Sequence, residues 1–113
     1  MSRRSAPAAN MSHAAPVFAA LGDETRLALV SRLGTSGPLS ITRLTDGSKV
    51  TRQAITKHLE ILSQAGLVRD ERKGRERLWM FEGERLEQAR RCLDQISREW
   101  DEALERLKNF VED

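Results

Sequence analysis

A chain of 113 residues has room for one small core, and 39% hydrophobic with 32% charged residues excludes a disordered polyelectrolyte. No apolar run approaches the roughly 20 residues that cross a bilayer, and none follows Arg3 and Arg4 to make a secretory signal. The net charge of +2 is unevenly spread: four basic and two acidic side chains in residues 1–39, nine and five in 40–81, six and ten in 82–113.

A basic middle and an acidic tail point to one face that prefers polyanions and another with a separate task; chance clustering on a solvated surface is the alternative. The single cysteine, Cys92, allows no internal disulfide, which fits a reducing, cytoplasmic setting.

Residues 1–13, rich in Ser, Ala, Pro and Asn without an apolar period, read as a mobile arm ahead of a domain over 14–113. A first helix is expected near Pro16, with Val17, Phe18 and Leu21 on one face and Gly22 as its end. Asp23 caps a second helix over 24–33, which carries Leu27, Val30 and Leu33 and stops at Gly34. Ser40 caps a short helix to about Asp46, with Ile41 and Leu44 inward, and Asp46-Gly47-Ser48 is turn chemistry.

Thr51 then caps a longer helix over 51–65, ended by Gly66. Its apolar residues Ile55, Leu59 and Leu62 form one stripe. Arg52, Gln53, Thr56 and Lys57 lie off that stripe and leave a polar, donor-rich leading face. A short helix, a tight turn and a second helix of this kind make a helix-turn-helix. Residues 67–73 and 77–81 flank Gly74-Arg75-Glu76 as a β-hairpin with a charged tip.

The final helix, 83–113, spaces Leu86, Ala89, Leu93, Ile96, Trp100, Ala103, Leu107 and Phe110 by alternating threes and fours. That is the seam of a helix that pairs with another long helix. Leu104 and Val111 widen the stripe, so part of it can pack on its own domain. Cys92 lies beside the seam next to Arg90 and Arg91. A small, half-buried apolar residue is the usual reading, and a thiol activated by neighbouring cations the other.

The segments FAALGDETRLALVSRL, TRQAITKHLEILSQAGLV and KGRERLWMF resemble the winged-helix regulators of the ArsR type over roughly residues 16–113. The resemblance implies a mainly α fold: a winged helix-turn-helix with a two-stranded hairpin wing and a long C-terminal dimerisation helix. It also implies a homodimeric bacterial transcriptional regulator, usually a repressor, that leaves its double-stranded operator DNA when an inducer binds. The residues support the role independently. Gln53 can pair with adenine, Thr56 can meet a base or a thymine methyl, and Arg52 and Lys57 can reach guanine or phosphate. His58 matches a histidine of the family and is read either as a phosphate contact or as a satisfied structural residue.

In the hairpin, Arg69, Arg72, Lys73, Arg75 and Arg77 would lie on backbone phosphate or in the minor groove, although Glu71 and Glu76 dilute the patch. Arg3 and Arg4 could add a minor-groove arm, with a disordered leader the simpler reading. Trp79 occupies a position where the family keeps a core aromatic.

Where metal-sensing relatives carry Cys-x-Cys, this chain has Ser40 and Thr42, and residues 82–113 contain no histidine, so no metal and no cofactor are expected. With no phosphate loop and no nucleophile beside a base, enzymatic activity is not expected either. A coiled-coil adaptor that has lost DNA binding is the reading from another class, and it has no use for a polar leading face combined with a basic wing.

Overall fold

The computed structural model describes residues 2–112, and side chains from residue 11 onward. Five helices and three strands follow in the order α1 (Ser2–Leu21), α2 (Glu24–Ser36), β1 (Leu39–Ser40), α3 (Ile41–Thr45), α4 (Arg52–Gln64), β2 (Val68–Lys73), β3 (Glu76–Phe81) and α5 (Glu84–Glu112). The strands form one antiparallel sheet in the order β1-β3-β2.

Three caps start helices where local chemistry requires them. Asp23 accepts the backbone N–H of Arg26, Ser40 that of Arg43, and Thr51 that of Ala54. Each satisfies a donor that the first turn leaves without a partner. In α4, Ile55, Leu59 and Leu62 are buried as one stripe, against a core that includes Leu33, Leu67 and Val68. Gly66 ends the following turn at φ +79°, and a Cβ there would stand 2.8 Å from Cγ of Arg85. A left-handed backbone pressed against α5 admits only glycine.

The hairpin closes through a two-residue loop, because Lys73 pairs with Glu76. Gly74 takes φ +62° at the first central position while Arg75 stays out of the left-handed region, the pattern of a type II′ turn. A third strand, absent from the sequence reading, joins this hairpin: Leu39 faces Trp79 and Ser40 faces Leu78. Two residues after a proline are too few for alternation to register. Trp79 is 2% exposed and belongs to the core, as the resemblance implied.

Three helical expectations need correction. The backbone is helical from Ser2, so over 2–13 helix replaces the expected irregular arm; Ala6, Ala8, Ala9, Ala14 and Ala15 are the strongest helix formers of the segment, which also carries Pro7 and Pro16. Ala14 is the first described side chain in the core. The side chains of Arg3 and Arg4, and with them the minor-groove arm, lie outside the described residues. Helix α2 passes through Gly34 and ends at Gly37, whose N–H reaches the carbonyl of Leu33. An isolated glycine costs a helix only about 1 kcal/mol, and the last turn is held by the hydroxyls of Thr35 and Ser36, which donate to the carbonyls of Ser31 and Arg32. Finally, α2 buries Leu29 with Val30 and Leu33, leaving Leu27 exposed.

Helix α5 packs its first half on α1. Ala89 and Cys92 are buried there, with Leu86 and Ile96 partly covered. Ala89 is therefore spent inside the protomer and drops out of the expected pairing seam. Cys92 is a small core residue. Beyond residue 96 every described residue of α5 is exposed, and Leu93, Trp100, Leu104, Leu107, Phe110 and Val111 form an uncovered apolar stripe.

Candidate nucleic-acid interface

The capped start of α4 sets the leading face. With Ile55 and Leu59 turned inward, Arg52, Gln53 and Lys57 are exposed and Thr56 half-buried, and these four line one shallow concavity with Glu60. The Thr56 hydroxyl donates to the carbonyl of Arg52 at 2.9 Å, so its lone pairs and methyl remain for an incoming base. Arg52 and Thr56 also share a cleft with Arg75, Arg77 and Trp79 of the wing. The structure thus brings the start of α4 and the β3 side of the wing together around one cleft.

The wing cations are not equivalent. Arg77 donates from Nε to Oδ2 of Asp70 at 2.6 Å, and its guanidinium carbon lies 4.6 Å from the centre of the Trp79 ring. That hydrogen bond holds the Asp70 carboxyl below its usual range. Arg69 is divided between Glu71 at 3.1 Å and Glu82 at 3.3 Å. Among the described residues, no ion pair engages Arg72, Lys73 or Arg75. The expected patch reduces to these three free cations, and Arg77 is held as part of the wing's own structure.

His58 departs from the leading face in its partners. Its Nδ1 lies 3.1 Å from Nη1 of Arg26 and 3.9 Å from Oδ2 of Asp23, while Nε of Arg26 donates to the carbonyl of Ala20 at 2.5 Å. Arginine only donates, so Nδ1 is the acceptor in this contact. The residue ties α4 to the start of α2, and of the two readings of His58 this arrangement is the satisfied structural one. Sequence reasoning had Asp23 only as a cap; its link to a histidine 35 positions away carries no local signal.

Asp23 supplies a pH test. Accepting the Arg26 N–H is the main cause that holds its carboxyl below the ordinary range, with the Arg26 charge adding to it and desolvation opposing. A depressed folded value stabilises the fold above the unfolded value of about 4, and this contribution disappears as pH falls through the folded value. Asp23→Asn keeps the capping oxygen and loses the titration. Its thermal midpoint should therefore change less than that of wild type between about pH 5 and pH 2. Equal acid sensitivity in both proteins would remove Asp23 from the account.

The same fold and the same segments recur in known proteins. A helix-turn-helix domain model matches residues 21–71. The HTH-type transcriptional regulator YuzN of Bacillus subtilis is 41% identical over 76 residues, covering 62% of this chain and 83% of that protein. An ArsR-like transcriptional regulator from Rhodococcus sp. RHA1 superposes with a TM-score of 0.73 at 38% identity, over 88% of this chain and 92% of the other. The chain belongs to the ArsR-type helix-turn-helix transcriptional regulators. A further neighbour, the homodimeric winged helix-turn-helix DNA-binding domain Mb0332 of Mycobacterium bovis, described as a possible ArsR-family transcriptional regulator, matches with a TM-score of 0.62 at 25% identity, over 81% of this chain and 83% of its own.

Membership makes this ArsR-type protein a DNA-binding transcriptional regulator and sets aside the adaptor reading. The leading face of α4 and the free wing cations are the parts of the molecule that suit that task. Among the described residues, no helix is long and apolar enough to cross a membrane. A soft metal does not suit the residues present at the Cys-x-Cys positions. The Ser40 oxygen is engaged as the α3 cap, and Thr42 offers only another hydroxyl. Among the described residues, no three His, Cys, Asp or Glu side chains converge.

Proposed function

We propose that this regulator is a cytoplasmic homodimeric repressor of an inverted-repeat operator. Each α4 enters a major groove with Gln53 and Thr56 on base edges and Arg52 and Lys57 on guanine or phosphate. Arg72, Lys73 and Arg75 hold the flanking backbone, where they add affinity without reading sequence.

The observation that carries the proposal is the cleft that the free cation Arg75 of the wing shares with Arg52 and Thr56 of α4, while the apolar stripe of α5 stays uncovered. Pairing of two α5 helices through Leu93, Trp100, Leu107 and Phe110 covers that stripe, with Ile96 and Ala103 at its margin. It leaves both reading helices free, and the homodimeric state of Mb0332 supports a dimer here as well. Two-fold symmetry then places the reading helices about 34 Å apart, one DNA turn.

Fluorescence anisotropy tests this with a labelled duplex from upstream of the protein's own gene and a shuffled duplex of equal length. Tight, salt-dependent binding to the first and weak binding to the second is expected; equal affinity for both would overturn a specific operator. Affinity for that duplex should also be unchanged by chelator or added zinc, because the residues at positions 40 and 42 give a metal nothing that differs between DNA-bound and free protein. Stoichiometric zinc that releases the duplex would contradict this.

A further inference from the structure

Between α3, the start of α4 and the β3 side of the wing, from its turn to Trp79, lies a cleft of about 330 Å³. That is at the lower end of the ~300–1,000 Å³ range of small-molecule sites. The cleft is preformed, because pairing of β1 with β3 pins the start of α3 against the wing: Ser40 sits opposite Leu78 and Leu39 opposite Trp79.

Its walls differ in character. Arg52 and Arg75 enter from the two sides, and among the described residues neither has an ion-pair partner. Ser40 and Thr42 add hydroxyls. The Ser40 oxygen already accepts the Arg43 N–H, so its own O–H is left to donate. Ile41 and Trp79 make an apolar floor, and Arg77, held by Asp70, covers part of the indole. Glu76 is the one carboxylate at the rim, against three guanidinium groups. Two free guanidinium groups and two hydroxyls around an apolar floor suit a phosphate dianion carrying a compact organic group.

We propose that this cleft is a phosphate-binding site, filled by a backbone phosphate in the DNA complex and open to a small phosphomonoester in the free protein, which then displaces the operator. The displacement part rests on the DNA-binding reading above; occupancy of the cleft does not. A ligand that uses Arg52 and Arg75 in the DNA-free state shifts the population by its differential affinity for that state.

The chain has two tryptophans, Trp79 in the cleft and Trp100 on the far part of α5, so Trp100→Phe leaves Trp79 as the only indole reporter. In that background, phenyl phosphate and inorganic phosphate are titrated at ionic strength held constant with chloride. A saturable change in Trp79 emission is expected, tighter for phenyl phosphate because its ring adds apolar contact. Arg52→Gln or Arg75→Gln should weaken it about tenfold, the loss of one charge-assisted hydrogen bond. Arg72→Gln, outside the cleft, should leave the midpoint unchanged while weakening duplex binding.

Wild-type protein on labelled duplex gives the second arm, in which phenyl phosphate should lower anisotropy at a concentration matching the Trp79 midpoint. No saturable response to either anion, alongside intact operator binding, overturns the cleft and leaves the DNA reading standing. A response that Arg52→Gln and Arg75→Gln leave unchanged also overturns it. A response that both variants weaken, in a protein that binds no duplex, supports the cleft and overturns the DNA reading instead. A duplex that stays bound at saturating phenyl phosphate overturns the displacement.

Discussion

Trp100→Glu is expected to convert the protein to a folded monomer and to abolish operator binding. Trp100 is 66% exposed in the protomer, so its replacement leaves the core of Leu33, Leu59 and Leu62 untouched and the thermal midpoint close to wild type. In the proposed dimer the same residue lies at a two-fold seam, where every substitution acts twice. Each large apolar side chain withdrawn from water contributes about 1.5–3 kcal/mol, and Leu93, Leu104, Leu107 and Phe110 are available beside Trp100. An unpaired carboxylate in that contact costs several kcal/mol on each side, enough to cancel it.

Operator binding falls with the dimer, because a linked second half-site raises effective concentration without a new contact. Sedimentation at micromolar concentration, with circular dichroism on the same samples, reads both parts. A wild-type monomer, or a Trp100→Glu dimer, would refute the pairing.

The second large effect separates reading from holding. Gln53→Ala should cost about 1–3 kcal/mol on the operator and almost nothing on a shuffled duplex, since a lost base-edge pair removes discrimination. Lys73→Ala should weaken both duplexes alike and lower the slope of log affinity against log salt by about 0.9. Arg69→Ala is the internal control. Its guanidinium is held by Glu71 and Glu82, which keep its proton even more firmly than usual, so less of its charge is available to phosphate. Its effect on the salt slope should be smaller than that of Lys73→Ala. Identical, sequence-independent losses for Gln53→Ala and Lys73→Ala would dissolve the distinction between helix and wing.

The caps at Asp23, Ser40 and Thr51, the stripe of Ile55, Leu59 and Leu62, and the turn at Gly74 were legible in the sequence because each is settled within a few residues. A hydroxyl or carboxylate meets an N–H three positions on, and a helix repeats its face every third or fourth residue. The leading face at 52–57 came with them, as the side of α4 that the stripe leaves to solvent.

What only the tertiary structure decided is which equivalent-looking residues remain free. Five wing cations look alike in sequence, yet strand register puts Arg77 on Asp70 and Arg69 between two glutamates, leaving Arg72, Lys73 and Arg75. His58 sits in the reading helix by position but turns to Arg26, from an element 32 residues earlier. In α5 a single heptad pattern covers two tasks: α1 takes Ala89 and Cys92, and Leu93, Trp100, Leu107 and Phe110 stay in water. Periodicity reports that a face is apolar; only the path of the rest of the chain determines what covers it.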